Sequence, residues 1–205
     1  MKLIEIPRQT VEGVLSLVGV RVGTEEPHYL STKVSDRVEI RRYGPRIAAE
    51  TTVDADEERA RNIGFRRLAG YIFGGNHRKE SIAMTAPVTQ QSGDTIAMTA
   101  PVAQARDGER STIRFYMPSK WTLDTLPEPD NDEVRLTEVP GETVAVLGFT
   151  GDRGPRAVQS HTDELLEVLR ANGIETTGDA QAWFYDPPWT LPFRRRNEIA
   201  VPVRQ

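Results

Sequence analysis

The stretch FRRLAGYIFGGNHRKESIAMTAPV (65–88) joins two periodic patterns at a pair of glycines. In its first half, apolar residues recur at the spacing of one helical face, at Phe65, Leu68, Ala69 and Ile72. Gly74 and Gly75 predict the end of that helix, because glycine closes a last turn without steric cost. In the second half, alternating apolar residues predict an extended segment. A helix followed at once by a strand indicates a mixed fold of helices and sheet.

The helix that ends at these glycines is predicted to span about residues 55–73. Asp54 stands three residues before Glu57, which is the spacing of a capping box with Asp in the place of Ser or Thr. A second helix is predicted over about 155–172, where Asn172-Gly173 provides the stop signal. Its inward face is expected to carry Val158, His161, Leu165, and Val168 or Leu169.

Strands are predicted on both sides of each helix. Residues 28–44 are expected to form a hairpin, and 134–139 is expected to pair with 142–150 across Pro140-Gly141. The other predicted strands are 45–53, 82–88, 96–102, 111–118, 182–188 and 197–203. The order of elements divides into two β-α-β-β halves. We therefore expect an α+β fold, with an antiparallel sheet or distorted barrel and two flanking helices.

The heptapeptide IAMTAPV occurs twice, at 82–88 and at 96–102. In an extended conformation, the Ile, Met, Ala and Val of each copy lie on one face of the strand. Two interpretations stay open. Either a short tandem duplication extended one strand into a hairpin, or both Met84 and Met98 line an apolar pocket, where methionine adapts to irregular ligands.

Composition excludes several classes of function. The chain of 205 residues has no cysteine, so it has no disulfide, thiolate metal site or cysteine nucleophile. A net charge of −4 argues against general nucleic-acid binding, which favours a basic face. We expect one cytoplasmic domain over 28–205. The amphipathic segment at 1–27 that precedes it has an apolar run too short to span a bilayer.

No motif in the sequence indicates catalysis. G-x-S-x-G, H-E-x-x-H and a phosphate-binding glycine loop are all absent, so an enzyme is the less favoured class. The three histidines are His28, His77 and His161. His77 lies in a polar loop and His161 on an apolar helical face, where a histidine is more often a hydrogen-bonded structural residue than a ligand.

Several further segments occur in a fixed order with those already described: FRRLAGYIFGGN (65–76), IAMTAPV (82–88 and 96–102), FYMPSKW (115–121), LPEPDND (126–132), GETVAVLGFTG (141–151) and FYDPPWTLPFRRRNEIAV (184–201). Together they resemble the SOUL family of heme-binding proteins. The resemblance covers about residues 28–203, and the second IAMTAPV is similar to the bacterial branch of the family. It implies a distorted antiparallel β-barrel with two flanking helices and a pseudo-twofold repeat, in agreement with the two halves.

The resemblance also implies non-covalent binding of heme or a related tetrapyrrole, for buffering or transport. The implied pocket involves the first helix, the methionines and the DPPW loop, which points to Phe65, Ala69, Ile72, Met84, Met98 and Trp189. Some members have a Met on that helix face and a Lys after DPP, where this chain has Ala69 and Thr190. Arg66 and Arg194 are then the candidate cations for the heme propionates.

Axial ligation and the class of ligand stay open at this point. His77 and His161 are the axial candidates for a heme iron. One alternative function is an enzyme that acts on heme or on a small hydrophobic molecule. The other is a sensor of a small molecule other than heme. Redox turnover with heme would favour the enzyme, whereas a deep apolar pocket without a nearby cation would favour the sensor.

Overall fold

The computed structural model describes residues 25–92, 110–186 and 190–204. The elements in these ranges are β1 (Tyr29–Lys33), β2 (Val38–Tyr43), β3 (Arg46–Asp54), α1 (Glu57–Ile72), β4 (Val88–Ser92), β5 (Arg110–Tyr116), β6 (Arg135–Val139), β7 (Glu142–Phe149), α2 (Pro155–Ala171), β8 (Gln181–Phe184), a short 3₁₀ helix (Pro192–Arg194) and β9 (Asn197–Pro202). The strands form one sheet in the order β1-β2-β7-β9-β8-β4-β5-β3-β6, with all neighbours antiparallel. This architecture confirms the predicted α+β class, with an antiparallel sheet and two helices.

Strand order follows the same rule on both sides of the central β4–β8 pair. After α1 the chain forms β4 and β5, and β5 lies between β4 and β3. After α2 the chain forms β8 and β9, and β9 lies between β8 and β7. Helix α1 packs on β3 and β5, and helix α2 packs on β7 and β9. The superposition of the two halves stays a prediction.

The connection between β6 and β7 differs from the predicted hairpin. Strand β6 pairs with β3, and β7 pairs with β2 and β9, so these two sequence neighbours do not pair with each other. Gly141 in the connection lies against the end of β2, where an added Cβ would be 3.0 Å from the carbonyl oxygen of Tyr43. The local sequence pattern could not predict which strands pair, because an amphipathic strand fits several partners of matching length equally well.

Helices α1 and α2 lie within a residue or two of their predicted ranges. The N-cap of α1 is Asp56, whose side chain accepts a hydrogen bond from Arg59 N at 2.9 Å, so the prediction of Asp54 as the cap was wrong. Asp54 is instead the last residue of β3, where it pairs with Arg110. Within the described ranges, no helix has the length and apolar character needed to cross a membrane.

The buried face of α1 approaches the sheet very closely at Gly64. A Cβ at this position would lie 2.8 Å from Cδ1 and Cγ1 of Ile113, which is fully buried in β5. We expect Gly64→Ala to lower the free energy of unfolding by about 1–2 kcal/mol, because overpacking outweighs the gain in helix propensity. Urea unfolding followed by circular dichroism measures the change.

Gly70→Ala is the matched control for this prediction. Gly70 lies in the same helix, is exposed, and an added Cβ would meet no atom within 4 Å. The control is therefore expected to raise the free energy of unfolding by about 0.5–1 kcal/mol. Equal stabilisation by both substitutions would contradict the close packing at Gly64.

The first copy of IAMTAPV is not a regular strand over 82–87, which corrects the prediction of a strand there. Ile82 instead forms a hydrogen bond with the end of α1, in which its N–H donates to the carbonyl oxygen of Ile72 at 2.7 Å. Regular pairing starts only at Val88, the first residue of β4. The physical reason is Pro87, which has no N–H to donate to a ladder.

Met84, the methionine of the first copy, is half-buried and packs against the core under α1. This placement agrees with the expectation that its side chain faces inward. The second copy at 96–102, with Met98, lies outside the described residues. The pairing of the two copies therefore stays a prediction.

Candidate ligand-binding site

One flank of α1 remains accessible beside the sheet. Phe65 and Ala69 are half-buried there, one helical turn apart, and Phe65 meets the ring of Phe115 edge to face at 5.4 Å. Ile72 was predicted to line the same surface, but it is 1% exposed and belongs to the core. Phe73, one turn after Ala69, is 67% exposed. We call Phe65, Ala69 and Phe73 the α1 flank.

The segment after α1 adds a methionine to this surface. Phe73 forms an isolated bridge with Ser81, so the chain turns back beside the end of α1. Met84 then packs against the same core cluster as Phe65. Aromatic rings, a small residue and a thioether together form an apolar surface that adapts to the shape of a ligand.

The cations predicted from the sequence are all on the surface. Arg66 is exposed on α1, where its Nε donates to the carbonyl oxygen of Asn62 at 3.3 Å. Arg194 is exposed in the short 3₁₀ helix. Trp189, predicted to cover the same pocket, lies outside the described residues. Within the part of the chain that the structure describes, neither Arg66 nor Arg194 forms an ion pair with an acidic side chain.

Two other arginines come together at the N-terminal end of the same helix. The guanidinium groups of Arg61 and Arg153 lie 5.1 Å and 5.7 Å from the ring centre of Phe184. Arg61 Nη1 lies 3.4 Å from the carbonyl oxygen of Arg153, and Arg153 Nη1 donates to the carbonyl oxygen of Asp186 at 3.2 Å. Neither guanidinium forms an ion pair with a carboxylate in the described part of the chain.

The charges of this arginine pair are poorly compensated. Burial and then the charges of Arg61 and Arg195 lower the pKa of Arg153 to about 10. Burial also lowers the pKa of Arg61, although the charges of Glu58 and Glu57 oppose the change. A bound anion would stabilise the charged form of both groups, because it offsets the repulsion and the lost hydration.

A groove between the two helices continues from this pair. It encloses a cavity of about 260 Å³ over the central strands β4 and β8. Its lining includes Arg61, Gln90, Thr162 and Phe184. Since Arg61 lies one turn before Phe65, it is on the same side of the helix as the α1 flank.

Sequence reasoning missed both arginines for different reasons. Arg61 could have been identified from the sequence, because it stands four residues before Phe65 and therefore lies on the same helical flank. No sequence pattern indicates Arg153, since it lies in the connection between β7 and α2 and is remote from α1 in the sequence. Only the packing of the two halves brings these side chains together.

The histidines make contacts away from the α1 flank. His161 lies 4.2 Å from the ring of Phe149, and its Nδ1 is 3.1 Å from Glu164 Oε2. His77 is 62% exposed and faces Glu128 and Asp130. Among the described residues, no group of three or more acidic or histidine side chains is arranged to hold a metal ion.

His28, the remaining histidine, also lies away from the flank. Its side chain is exposed and lines a different cavity, at the end of the sheet. Met84 is therefore the described residue beside the α1 flank with an atom, its thioether sulfur, that can approach a heme iron.

A buried ionic network crosses the sheet at β2 and β9. Glu198 accepts hydrogen bonds from Arg41 at 2.6 and 3.0 Å, from Tyr185 Oη at 2.6 Å and from Arg196 Nη2 at 2.9 Å. Burial acts to raise the pKa of Glu198, but the hydrogen bond and charge of Arg41, followed by Arg196, outweigh it and hold the pKa below its ordinary value. Both carboxylate oxygens are engaged, so this network has the geometry of a structural ion pair.

Solved structures with the same fold come from proteins of varied function. The C-terminal domain of EcmrR matches with a TM-score of 0.58 at 10% identity, over 86% of this chain and 98% of that one. A hydrolase from Listeria innocua matches with a TM-score of 0.56 at 12% identity, over 82% and 92% of the two chains. At these identities the likeness shows the fold alone.

Sequence relatives are closer. Heme-binding protein 2 of Mus musculus is 31% identical over 165 residues, which cover 78% of this chain and 75% of the relative. Heme-binding protein 2 of Homo sapiens is 31% identical over 169 residues, with the same coverage. The family model described as SOUL heme-binding protein matches residues 24–202. The chain, with its antiparallel sheet and two helices, thus belongs to the SOUL heme-binding family.

Proposed function

We propose that this protein binds heme, or a related tetrapyrrole, without a covalent bond and serves as a cytoplasmic buffer or carrier. The observation that carries the proposal is the apolar α1 flank, with Arg61 one turn before it on the same helix and Arg153 in contact with Arg61. Phe65, Ala69 and Met84 would hold the porphyrin ring, and Arg61 and Arg153 would bind the propionates. The ligand is a small molecule, and the acidic net charge of the chain gives no support for a nucleic-acid partner.

The donor set fits the chemistry of heme. Propionates are carboxylates, and guanidinium groups bind carboxylates with paired, charge-assisted hydrogen bonds. Each such contact contributes about 1.5–3 kcal/mol when it is shielded from water. Arg61 and Arg153 meet this condition better than the exposed Arg66 and Arg194, which act as outer contacts.

The proposed affinity is moderate, in the micromolar range or weaker. Apolar burial of a porphyrin on Phe65, Ala69 and Met84 contributes roughly 25 cal/mol per Å². The loss of freedom on binding offsets much of this gain. No described histidine lies at the flank to add a strong axial bond. Trp189 in the DPPW loop adds a second apolar contact in this proposal.

Titration of the full chain with hemin, followed through the Soret band, tests the proposal. Ala69→Glu introduces a carboxylate into the flank and is expected to weaken binding by about tenfold or more, because the ligand buries that charge. Gly70→Glu adds the same carboxylate at the neighbouring exposed position and is expected to change the affinity by less than about threefold. Thermal unfolding of each variant shows whether the fold is intact.

Two results would contradict the proposal. One is the absence of a saturable Soret shift in the parent protein. The other is equal loss of binding in Ala69→Glu and Gly70→Glu, which would place the ligand elsewhere. Displacement of hemin by apolar molecules that carry no carboxylate would instead support a sensor for another small molecule.

A further inference from the structure

A separate cavity of about 530 Å³ lies at the end of the sheet where β3 begins and β5 ends. Its apolar lining includes Ile47, Tyr116, Met117, Trp121 and Leu123. The α1 flank, Met84 and Arg61 do not contribute to it, so it is distinct from the proposed heme site. Its volume falls in the range of roughly 300–1,000 Å³ that small-molecule pockets occupy.

Two buried N–H groups in residues of this lining lack acceptors. Arg46 Nε and Trp121 Nε1 are both shielded from solvent, and neither has a hydrogen-bond partner in the described ranges. Buried donors are nearly always paired, so two donors in the lining of one cavity that have no partner among the described residues point to an acceptor that these residues do not supply.

Arg46 is held firmly in this lining. Its guanidinium lies 4.3 Å from the ring centres of both Tyr43 and Tyr116, and it forms an ion pair with Glu142. Both aromatic rings pack against the guanidinium, and the ion pair balances its charge. The arginine therefore stiffens the wall and does not act as a free cation.

The remaining charges in the lining are unfavourable for an anionic ligand. Glu25 and Glu138 both line the cavity. Glu25 is fixed there, because it forms a bridge with Thr85 and its carboxylate accepts a hydrogen bond from Ser119 N at 2.8 Å. A carboxylate ligand meets these negative charges, whereas a cation leaves the N–H donors unsatisfied. An uncharged hydrogen-bond acceptor avoids repulsion by the two carboxylates and can pair with the N–H donors.

We propose that this cavity is a second small-molecule site, which binds an uncharged, ring-containing molecule with a carbonyl oxygen. The ring system fills the apolar lining, and the carbonyl oxygen accepts the hydrogen bond from Trp121 Nε1 after a small rotation of that side chain. This site is independent of heme and takes a ligand of different charge.

Three probes with one apolar body test the proposal: 1-acetylnaphthalene, 1-methylnaphthalene and 1-naphthoate. The chain has three tryptophans, and the indole N–H signal of Trp121 in a ¹⁵N spectrum is identified by its loss in Trp121→Phe. We expect 1-acetylnaphthalene to shift that signal in a saturable way. Its affinity is expected to exceed that of the other two probes by about five- to tenfold, because only this probe offers an acceptor without a charge.

Trp121→Phe removes the N–H donor and keeps an aromatic ring. In this variant the affinities of 1-acetylnaphthalene and 1-methylnaphthalene are expected to agree within about twofold. Arg61→Gln serves as the control and should leave all three affinities unchanged, since Arg61 lies outside this cavity.

Two outcomes would overturn the second site. One is an indole N–H signal of Trp121 that does not respond to 1-acetylnaphthalene in the parent protein, which removes the proposed contact. Competition between hemin and the probe would mean that the two share one site, while heme binding itself would stand. Conversely, if the protein does not bind hemin but 1-acetylnaphthalene shifts the Trp121 signal, the proposal of the second site stands and the proposal of heme binding is wrong.

Discussion

Replacement of both Arg61 and Arg153 by glutamine is expected to weaken hemin binding by roughly 100-fold or more. Each guanidinium provides a charge-assisted contact to a propionate, and two such contacts together account for a change of this size. Glutamine retains a long polar side chain, so the substitution tests the charge. The measurement is a hemin titration of the full chain at fixed salt concentration.

The ligand offers a second control for this prediction. The dimethyl ester of the same porphyrin has no propionate charge, so its affinity should be nearly equal in the parent and in the double variant. Arg66→Gln with Arg194→Gln is the matched protein control, and its effect should stay below about tenfold because both residues are exposed. Equal losses for hemin and its ester would mean that the arginines support the fold and not the ligand.

The free energy of unfolding provides an independent test of the role of Arg61 and Arg153. The lowered pKa values of Arg61 and Arg153 mean that their charged forms are less favourable in the folded chain than in water. Removal of these charges should therefore leave the free energy of unfolding unchanged or raise it. A functional arginine pair is expected to reduce stability in this way while it increases affinity for an anion.

Glu198→Ala is expected to lower the free energy of unfolding by about 3–5 kcal/mol, because it removes the buried carboxylate that pairs with Arg41 and leaves the half-buried Glu39 as the described carboxylate still paired with that guanidinium. Both side chains are almost inaccessible, with 6% of Arg41 and 4% of Glu198 exposed. The loss corresponds to a decrease in Tm of roughly 10 °C for a domain of this size. Denaturant unfolding at pH 7 measures it directly.

A compensating double substitution shows whether Glu198→Ala destabilises the protein through the buried charge of Arg41 or through disrupted packing. Arg41→Met with Glu198→Leu removes both charges and fills similar volume, so we expect it to recover most of the stability. The strands concerned, β2 and β9, are separated in the sheet only by β7. If the double variant is no more stable than Glu198→Ala, the network matters for packing rather than for charge.

The same network predicts a dependence of stability on pH. Because the folded chain holds the pKa of Glu198 below its ordinary value, the carboxylate stabilises the fold at every pH above the pKa of the unfolded chain, about 4.3. The contribution disappears as the pH falls through the lower pKa of the folded state. Glu198→Ala should therefore lose less stability than the parent between neutral and acidic pH.

Local sequence patterns predicted the two helices and the family of this protein. The helices α1 and α2 lie near their predicted limits, because apolar spacing and the glycine and asparagine stop signals act within a few residues. The motifs from FRRLAGYIFGGN to FYDPPWTLPFRRRNEIAV were sufficient to indicate the SOUL family, which the relatives confirm. Phe65, Ala69 and Met84 were likewise identified as apolar residues beside one helix.

Strand pairing and the positions of the buried charges depend on the tertiary structure. Strand β7 pairs with β2 and β9 and not with its neighbour β6, since pairing depends on how the whole sheet packs. Ile72 is buried in the core, although the apolar spacing of α1 predicted it on the same accessible face as Phe65 and Ala69. Arg61 and Arg153 are 92 residues apart in sequence and meet over Phe184. Contacts of this kind join distant parts of the chain, and no local pattern of residues encodes them.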